Sequence, residues 1–269
     1  MTVRPTAAGG REAAREGRQE FVQSMARGFA VIKAFSSQPD ALTIADVARR
    51  TGLSRAVSRR FLLTLADLGY IAAADGVFRL TPRVLELGYT FLSSLRLPDV
   101  AQPVMEQVVD TLHESCSVSV LDATDIVYVA RVPAKRIMAI NLAIGSRLPA
   151  YPTSMGRVLL AALSPAALDG YFARAELKPL TDRTITSPDE LRRVIAQVRE
   201  RGWAMVDQEV EVGVRSVAAP IVDRSGRTVA AVNVSSHASR VNLKDMRARH
   251  LPLLLEAARR ISAALGAHV

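Results

Sequence analysis

The stretch TIADVARRTGLSRAVSRRFLLTLADLG, residues 43–69, decides the fold of the N-terminal part of this chain. Thr43 and Asp46 have the spacing of a capping box, and Gly52 suits the position that follows a helix. Ser54 is a favourable N-cap for a second helix, which runs to the end of the quoted stretch. Two helices joined by so short a turn predict a helix-turn-helix.

A wing and a linker follow this motif. The run YIAAADGVFRL, residues 70–80, contains two strand-like halves around Asp75-Gly76, which is a strong hairpin signal. Thr81-Pro82 then supplies an N-cap and a proline in the first helical position. We therefore predict an N-terminal arm over residues 1–23, a winged helix-turn-helix domain over 24–81, a linker helix over 82–97 and a second domain over 98–269.

The second helix of the motif carries basic and hydroxyl side chains at its N-terminal end. On a helical wheel, Arg55 and Arg59 lie roughly opposite an apolar face that is formed by Val57, Phe61, Leu65 and Leu68. No acidic residue occurs between Ser54 and Ala66. Arginine forks pair with guanine edges, and hydroxyl and arginine groups hold phosphates. The alternative is a solvated surface helix. The DNA-contacting residues we predict are Ser54, Arg55, Ser58, Arg59 and Arg60.

The charge distribution supports a nucleic-acid partner for the N-terminal part. The chain has a net charge of +9, from 35 Lys and Arg against 26 Asp and Glu. Residues 1–96 carry 14 against 8, a net charge of +6, while residues 97–269 carry 21 against 18, a net charge of +3. The excess of positive charge is therefore concentrated in the first third of the chain.

The C-terminal part alternates strand-like and helical stretches. SVSVLDATDIVYVARV and IMAINLAIG read as successive strands, and SVAAPIVD and VAAVNVSS as two more. Helices are predicted at about 153–163, 165–173 and 187–201, and a last one from about 242 to 266. Strands grouped in runs with helices outside them predict an α+β domain with an antiparallel sheet.

The sequence offers little for catalysis, metals or membranes. Cys116 is the single cysteine, and His113, His237, His250 and His268 are scattered, so we predict neither a metal site nor a cofactor. The acidic cluster at 207–211 lacks a recognisable nucleophile or paired base, which predicts a protein that is not an enzyme. The polar N-terminus and the absence of a long apolar segment predict a cytoplasmic protein without membrane contact.

Three longer segments carry a family resemblance: SMARGFAVIKAF near the start, LPAYPTSMGRVLLA at 148–161 and RGWAMVDQEVEVGVRSVAAPI at 201–221. With them, the chain resembles the IclR family of regulators over residues 24–266. The segment RVPAKRIMAINLAIGSRLPAYPTSMGRVLLA is similar to regulators of aromatic-acid catabolism through the β-ketoadipate pathway. The resemblance implies a GAF-like C-terminal domain and an effector cavity against its sheet. It also implies homodimers formed through the DNA-binding half, and often tetramers.

The resemblance also implies a set of effector-binding positions. This chain has Ser216 where relatives can have Cys, and Asn233 where they can have a smaller hydroxyl side chain. Both differences change the shape and hydrogen bonding of the cavity. The start of the helix at Thr153 exposes unpaired N–H groups that favour an anion, and Lys135, Arg136 and Arg147 are expected nearby. Alternatively, the serines satisfy backbone groups in a small core. The positions are Ile137, Ile140, Ser154, Met155, Gly156, Asp207, Val214, Ser216, Asn233 and Ser235.

These observations together predict a transcription regulator with two kinds of ligand. One is double-stranded DNA with a near-palindromic operator, and the other is a small carboxylate, either an aromatic acid or a β-ketoadipate-type dicarboxylate. Three alternatives stay open: a regulator of another carbon-source pathway, a GAF-like enzyme that uses Cys116 or the acidic cluster, and an architectural DNA protein without an effector.

Overall fold

The structure is a computed structural model that describes residues 21–36, 39–94, 96–134 and 142–267. The chain divides between residues 91 and 92 into two compact units. This division falls inside the range predicted for the linker helix. Among the described residues, no helix combines the length and the apolar character needed to cross a bilayer.

The N-terminal unit has the predicted winged helix-turn-helix pattern. Its elements are α1 (Gln23–Lys33), α2 (Ile44–Thr51), α3 (Arg55–Asp67), β1 (Ile71–Ala74), β2 (Val77–Leu80) and α4 (Leu85–Ser94). The capping box of Thr43 and Asp46 is confirmed, and Gly52 adopts the left-handed conformation at φ 72° that ends α2. Asp75 and Gly76, at φ 51° and 75°, form the two-residue turn between the antiparallel wing strands.

The core of this unit forms where the helices meet the wing. Val31 of α1, Val47 of α2 and Leu62 of α3 are fully buried together with Leu42. Leu42 also pairs with Phe78 of the wing through two backbone hydrogen bonds of 2.9 Å. The wing is thereby attached to the segment that precedes α2.

The C-terminal unit is built on a six-stranded antiparallel sheet with the strand order β5-β4-β3-β8-β7-β6. The strands are β3 (Ser115–Asp122), β4 (Asp125–Val132), β5 (Arg147–Pro149), β6 (Ala204–Asp207), β7 (Val214–Val222) and β8 (Thr228–His237). The helices are α5 (Leu97–Leu112), α6 (Ser154–Ala161), α7 (Pro165–Phe172), α8 (Pro188–Arg201), α9 (Leu243–Asp245) and α10 (Leu251–Ala264). A π-helical turn, Met246–His250, joins the last two.

Most predicted elements of this unit are confirmed. The antiparallel sheet and the helices α6, α7 and α8 lie where the sequence predicts them, and the last helix begins after the Asn242 cap. The predicted strand IMAINLAIG lies largely outside the described residues, and the described strand after β4 is β5. The short strand β6 is an addition that the sequence analysis did not identify.

The two faces of the sheet differ in chemistry. One face packs an apolar core against α5 and α10, and its side chains include Cys116, Val118, Val217, Val232 and Val234. The opposite face packs against α6, and α8 packs on α6 in turn. Polar side chains of β3, β7 and β8 lie on this second face, and the candidate effector site is located there.

Candidate functional site

The second helix of the motif, α3, presents two of the predicted arginines together. Arg55 and Arg59 are exposed and line a shallow groove whose other walls are the start of α2 and the wing turn at Gly76. Arg60 is exposed but does not line this groove. Ser54 caps α3, since its hydroxyl oxygen accepts a hydrogen bond from the Val57 N–H at 3.3 Å. Groove, wing and helix therefore form one exposed basic surface.

The structure corrects the expectation for Ser58. Its side chain is fully buried, on the same stripe of α3 as Leu62 and Leu65, and its hydroxyl has no hydrogen-bond partner. The helical wheel placed the apolar stripe around Phe61 and Leu68, but Leu68 is exposed. Because a small serine fits the close contact that α3 makes with the core, the buried stripe includes it, and Ser58 cannot reach DNA from the inside of the domain.

In the C-terminal unit, strand register brings polar side chains onto one face of the sheet. Ser117 of β3 lies opposite Arg131 of β4 on one side and Asn233 of β8 on the other. One step along the sheet, Ser235 lies opposite Ser216. Directly opposed residues of antiparallel strands point to the same face, so these side chains form a continuous polar patch.

A cleft follows this patch. Two adjoining cavities, of about 90 and 120 Å³, share a set of lining side chains and so form one elongated space. The shared residues are Tyr128, Leu142, Val214, Asn233 and Ser235. The inner cavity adds Leu148, Thr153, Ser154, Met155, Val210, Glu211 and Ser216. The outer cavity adds residues that include Glu114, Ser117, Arg131, Gly213, His237 and Arg240.

The inner end of the cleft is the start of α6. The Thr153 hydroxyl oxygen caps the helix by accepting a hydrogen bond from the Gly156 N–H at 3.0 Å. The hydroxyls of Ser154 and Ser216 are hydrogen-bonded to each other at 2.8 Å, and the Ser119 hydroxyl donates to the sulfur of Met155 at 3.2 Å. Six of the predicted effector positions thus line one cleft: Ser154, Met155, Val214, Ser216, Asn233 and Ser235.

Gly156 lies outside this cleft and has a packing role. A Cβ atom at this position would lie 2.0 Å from the carbonyl oxygen of Ala150, which no real contact allows. The absence of a side chain lets the first turn of α6 approach the preceding backbone closely. Gly156 therefore positions Ser154 and Met155 and does not itself line the cleft.

Two carboxylates of the acidic segment at 207–211, those of Asp207 and Glu209, are held in ion pairs. Asp207 accepts hydrogen bonds from Arg183 at 2.6 Å and from Arg215 at 2.7 Å, and it lines neither cavity. Glu209 is buried and accepts hydrogen bonds from Arg157 at 2.5 Å and from the Ile185 N–H at 3.1 Å. Asp207 therefore does not lie where the expected effector contact requires, and the two arginines already satisfy its carboxylate.

The expected basic loop beside the helix start is only partly observed. Ile137 and Ile140, together with Lys135 and Arg136, lie outside the described residues. Arg147 is described and points elsewhere, since it pairs with Asp122 at 2.6 Å and with Asp125 at 3.2 Å on the surface. Both carboxylates raise the pKa of Arg147, and the hydrogen bond that Arg147 donates to Asp122 makes the largest contribution. Arg147 is thus not available to the cleft.

Two side chains in the cleft have unusual polar environments. Asn233 is only 6% exposed, and its Oδ1 has no hydrogen-bond partner within the described structure. Arg131, which the sequence analysis did not select, donates from Nη1 to the Ser117 hydroxyl at 3.1 Å. No carboxylate among the described residues forms an ion pair with Arg131, and burial lowers its pKa. Buried polar groups in proteins normally find partners, so this part of the cleft suits a ligand.

The candidates for redox or metal chemistry have ordinary structural environments. Cys116 faces the apolar core, and burial raises the pKa of its thiol to about 12. A thiol with that pKa carries very little thiolate at neutral pH. Within the ranges that the structure describes, no group of three or more His, Cys, Asp or Glu side chains could hold a metal ion.

Comparisons with known proteins cover most of the chain. Residues 24–74 match the family described as IclR helix-turn-helix domain, and residues 89–263 match Bacterial transcriptional regulator IclR C-terminal. The Pca regulon regulatory protein of Pseudomonas putida is 46% identical over 244 residues, covering 90% of this chain and 84% of that protein.

Two crystal structures extend the similarity to the fold. A transcriptional regulator from Rhodococcus sp. RHA1 superposes with a TM-score of 0.83 at 55% identity, covering 91% of this chain and 99% of that chain. An IclR homologue from Microbacterium hydrocarbonoxydans, solved in complex with 4-hydroxybenzoate, superposes with a TM-score of 0.80 at 26% identity. That match covers 90% of this chain and 99% of the homologue.

Proposed function

Because the chain belongs to the IclR family of DNA-binding transcription regulators, we propose that a small organic acid bound in the cleft controls its binding to an operator. The acid is an aromatic acid or a β-ketoadipate-type dicarboxylate of aromatic catabolism. In this proposal residues 24–81 bind DNA, residues 82–97 link the domains, and residues 98–269 bind the effector. Coupling requires the acid to favour one arrangement of the DNA-binding domains over another.

The observation that carries the proposal is the buried Asn233 side chain in the cleft. Its Oδ1 is without a partner, and the surrounding wall combines apolar Tyr128 and Leu142 with the hydroxyls of Ser216 and Ser235. An apolar cavity with a few converging polar groups is the usual form of a small-molecule site. An unpaired buried amide oxygen costs free energy, which a ligand that donates a hydrogen bond recovers.

The relatives support the chemical class of the effector. The Microbacterium homologue was crystallised with 4-hydroxybenzoate, and the Pseudomonas relative is named for the pca regulon. Apolar walls with hydroxyl and amide groups suit a benzene ring that carries a hydroxyl substituent. A regulator of another carbon-source pathway is the second candidate, and the ligand panel below separates the two.

Ligands of this class are expected to stabilise the protein. In a thermal-shift panel of protocatechuate, hydroxybenzoates, β-ketoadipate and adipate, at least one acid should raise the melting temperature clearly. A ligand that binds only the folded state at one hundred times its dissociation constant adds about 2.7 kcal/mol of stability. Ser216→Leu should reduce this shift, because the larger side chain fills the inner cavity beside Ser154.

The matched control for that variant is Val229→Leu, a partly exposed position on the same sheet that lines neither cavity. It should keep the full ligand-induced shift. Stabilisation by neutral sugars and by none of these acids would contradict the effector class.

We further propose a homodimer or tetramer that reads a near-palindromic operator. Leu85 and Tyr89 of α4 are 73% and 69% exposed, and Leu87 is also exposed, so the described part of this helix presents an apolar surface. Symmetric pairing through such a helix sets the spacing of the two half-sites. A large exposed apolar patch typically marks an interface.

Light scattering at micromolar concentration should therefore report a dimer or a larger assembly. The double variant Leu85→Glu/Tyr89→Glu should dissociate into monomers and lose operator affinity, because paired charges in an apolar interface are costly. Leu180→Glu, at an exposed apolar position of the C-terminal unit, serves as the control and should leave the assembly intact. A monomeric wild-type protein would contradict the proposal.

We propose that the protein acts in the cytoplasm by binding alone and not by catalysis. Three of the candidate groups are engaged elsewhere, since arginines hold Asp207 and Glu209 and Cys116 faces the core. Turnover of a bound acid that disappears on changing Cys116 or Glu211 would instead favour an enzyme. An architectural DNA protein is the remaining alternative, and a melting temperature insensitive to every small acid would favour it.

A further inference from the structure

The outer end of the cleft contains a cation that the sequence analysis did not identify. We propose that Arg131 binds the carboxylate of the effector, and that the opposite end of the ligand is hydrogen-bonded by the Ser154–Ser216 hydroxyl pair. This inference rests on the proposed function, because it assigns the two ends of an acid bound in the same cleft. It assigns the acid group to the sheet and not to the start of α6.

The position of Arg131 follows from an irregularity of β4. Ser119 lies opposite Tyr128, and Val118 lies opposite Ala130, so Val129 has no partner on β3. This bulge inserts one residue into β4. Beyond it, Arg131 comes to the same face as Tyr128, whereas simple alternation would place it on the other side of the sheet. The bulge therefore turns the guanidinium into the cleft.

The electrostatics of the two ends favour Arg131. A guanidinium carries a full positive charge at any physiological pH and can hold a carboxylate with two hydrogen bonds. A helix N-terminus offers about half a charge at most. In α6 the Gly156 N–H is already bonded to Thr153, and the Ser154 hydroxyl is paired with Ser216. Among the described lining residues, the positive charge without a carboxylate partner therefore lies at Arg131.

The neighbours of Arg131 complete a carboxylate site. Ser117 lies directly between Arg131 and Asn233 across three adjacent strands. Side chains opposed in this way are about 5 Å apart at Cβ, so a carboxylate bound to Arg131 lies within reach of the Ser117 hydroxyl, which can donate a hydrogen bond to it. The nearby Arg240 is already paired with Glu114 at 3.4 Å, so Arg131 is the cation that the outer cavity leaves for the ligand among its described side chains.

The test compares each acid with its amide. Isothermal titration calorimetry on the full chain would use 4-hydroxybenzoate, protocatechuate and adipate, each beside the analogue in which one carboxylate is a primary amide. Arg131→Gln should weaken binding of the acid about 10- to 100-fold, the usual effect of losing a charge-assisted hydrogen bond. The affinity of Arg131→Gln for the matching amide should change less than about threefold. The affinity of Arg131→Lys for the acid should lie between those of the wild type and Arg131→Gln.

Two controls separate charge recognition from a structural role. Arg224→Gln removes the same charge from the exposed turn between β7 and β8 and should leave both affinities unchanged. The melting temperature of ligand-free Arg131→Gln should equal or exceed that of the wild type, because a partly buried cation without a carboxylate is costly to the folded state.

Each outcome decides one of the proposals. Equal losses for the acid and the amide, or a lower melting temperature without ligand, would overturn the role of Arg131. Unchanged acid affinity in Arg131→Gln, with the wild type binding normally, would overturn this inference and leave the proposed function standing. Failure of the wild type to bind any of the three acids would overturn both.

Discussion

Replacing Arg157 by Met is expected to lower the free energy of unfolding of the C-terminal unit by about 3–5 kcal/mol. Arg157 and Glu209 are 2% and 6% exposed, and their side chains form an ion pair at 2.5 Å. Arg157 also donates from Nε to the Tyr151 carbonyl at 2.9 Å. The variant leaves the Glu209 carboxylate buried without its cation, and the cost of that unpaired charge dominates the effect.

Urea unfolding followed by tryptophan fluorescence measures this effect, because Trp203 is the single tryptophan and packs against the apolar core of the same unit. Arg192→Met is the control, since Arg192 and Asp169 form an ion pair at 2.7 Å whose side chains are 39% and 64% exposed. Such surface pairs contribute about 0–1 kcal/mol. A loss below about 1 kcal/mol in Arg157→Met would show that the buried pair does not hold α6 in place.

The double variant Arg157→Met/Glu209→Leu sharpens the interpretation. Removing both charges should recover a large part of the stability lost in Arg157→Met, because the penalty comes from the remaining charge and not from lost attraction. The ion pair connects α6 to the segment after β6, and both border the cleft. The ligand affinity of the double variant then shows how strongly the ligand-binding geometry of the cleft depends on this ion pair.

The double variant Arg55→Ala/Arg59→Ala is expected to reduce specific operator affinity about 100-fold or more. A bidentate arginine–guanine contact contributes about 1–3 kcal/mol of discrimination. The two side chains lie one helical turn apart on the exposed face of α3 and line the same groove. Fluorescence anisotropy with a labelled operator, at fixed salt concentration, measures the change.

Two further variants make that experiment specific. Arg174→Ala removes an exposed charge from the C-terminal unit and should leave operator affinity unchanged. Ser58→Ala should also have no effect on affinity, because the Ser58 hydroxyl is buried and unpartnered. Unchanged affinity in the double arginine variant, with the fold intact, would refute the assignment of α3 as the recognition helix.

Local sequence signals were sufficient to predict the helices and the wing of the N-terminal domain. The capping box of Thr43 and Asp46, the left-handed Gly52 and the Asp75-Gly76 turn each act over two to four residues, and each is found where the sequence predicted it. Interactions of this range depend little on the rest of the chain. The family resemblance likewise came from three continuous segments. The family and the order of most elements were thus available from the sequence alone.

The helical wheel was less reliable, because it assigns faces by hydrophobicity. Ser58 is buried and Leu68 is exposed, although each side chain alone suggests the reverse. Which stripe of α3 turns inward is decided by the shape of the core around Val31, Val47 and Leu62. That shape exists only after the helices have packed.

The composition of the cleft was decided by tertiary structure. Asp207 and Glu209 were candidates for chemistry, but their partners Arg183 and Arg157 lie 24 and 52 residues away in the sequence. The side chain of Arg131 faces the cleft because a single extra residue, Val129, shifts the alternation of β4. A strand pattern with period two cannot reveal such a bulge, since the shift depends on how β4 pairs with β3. The sequence by itself determined the family, the motif and most of the secondary structure, and only the packed sheet decided which carboxylates are paired with arginines and that Arg131 faces the cleft.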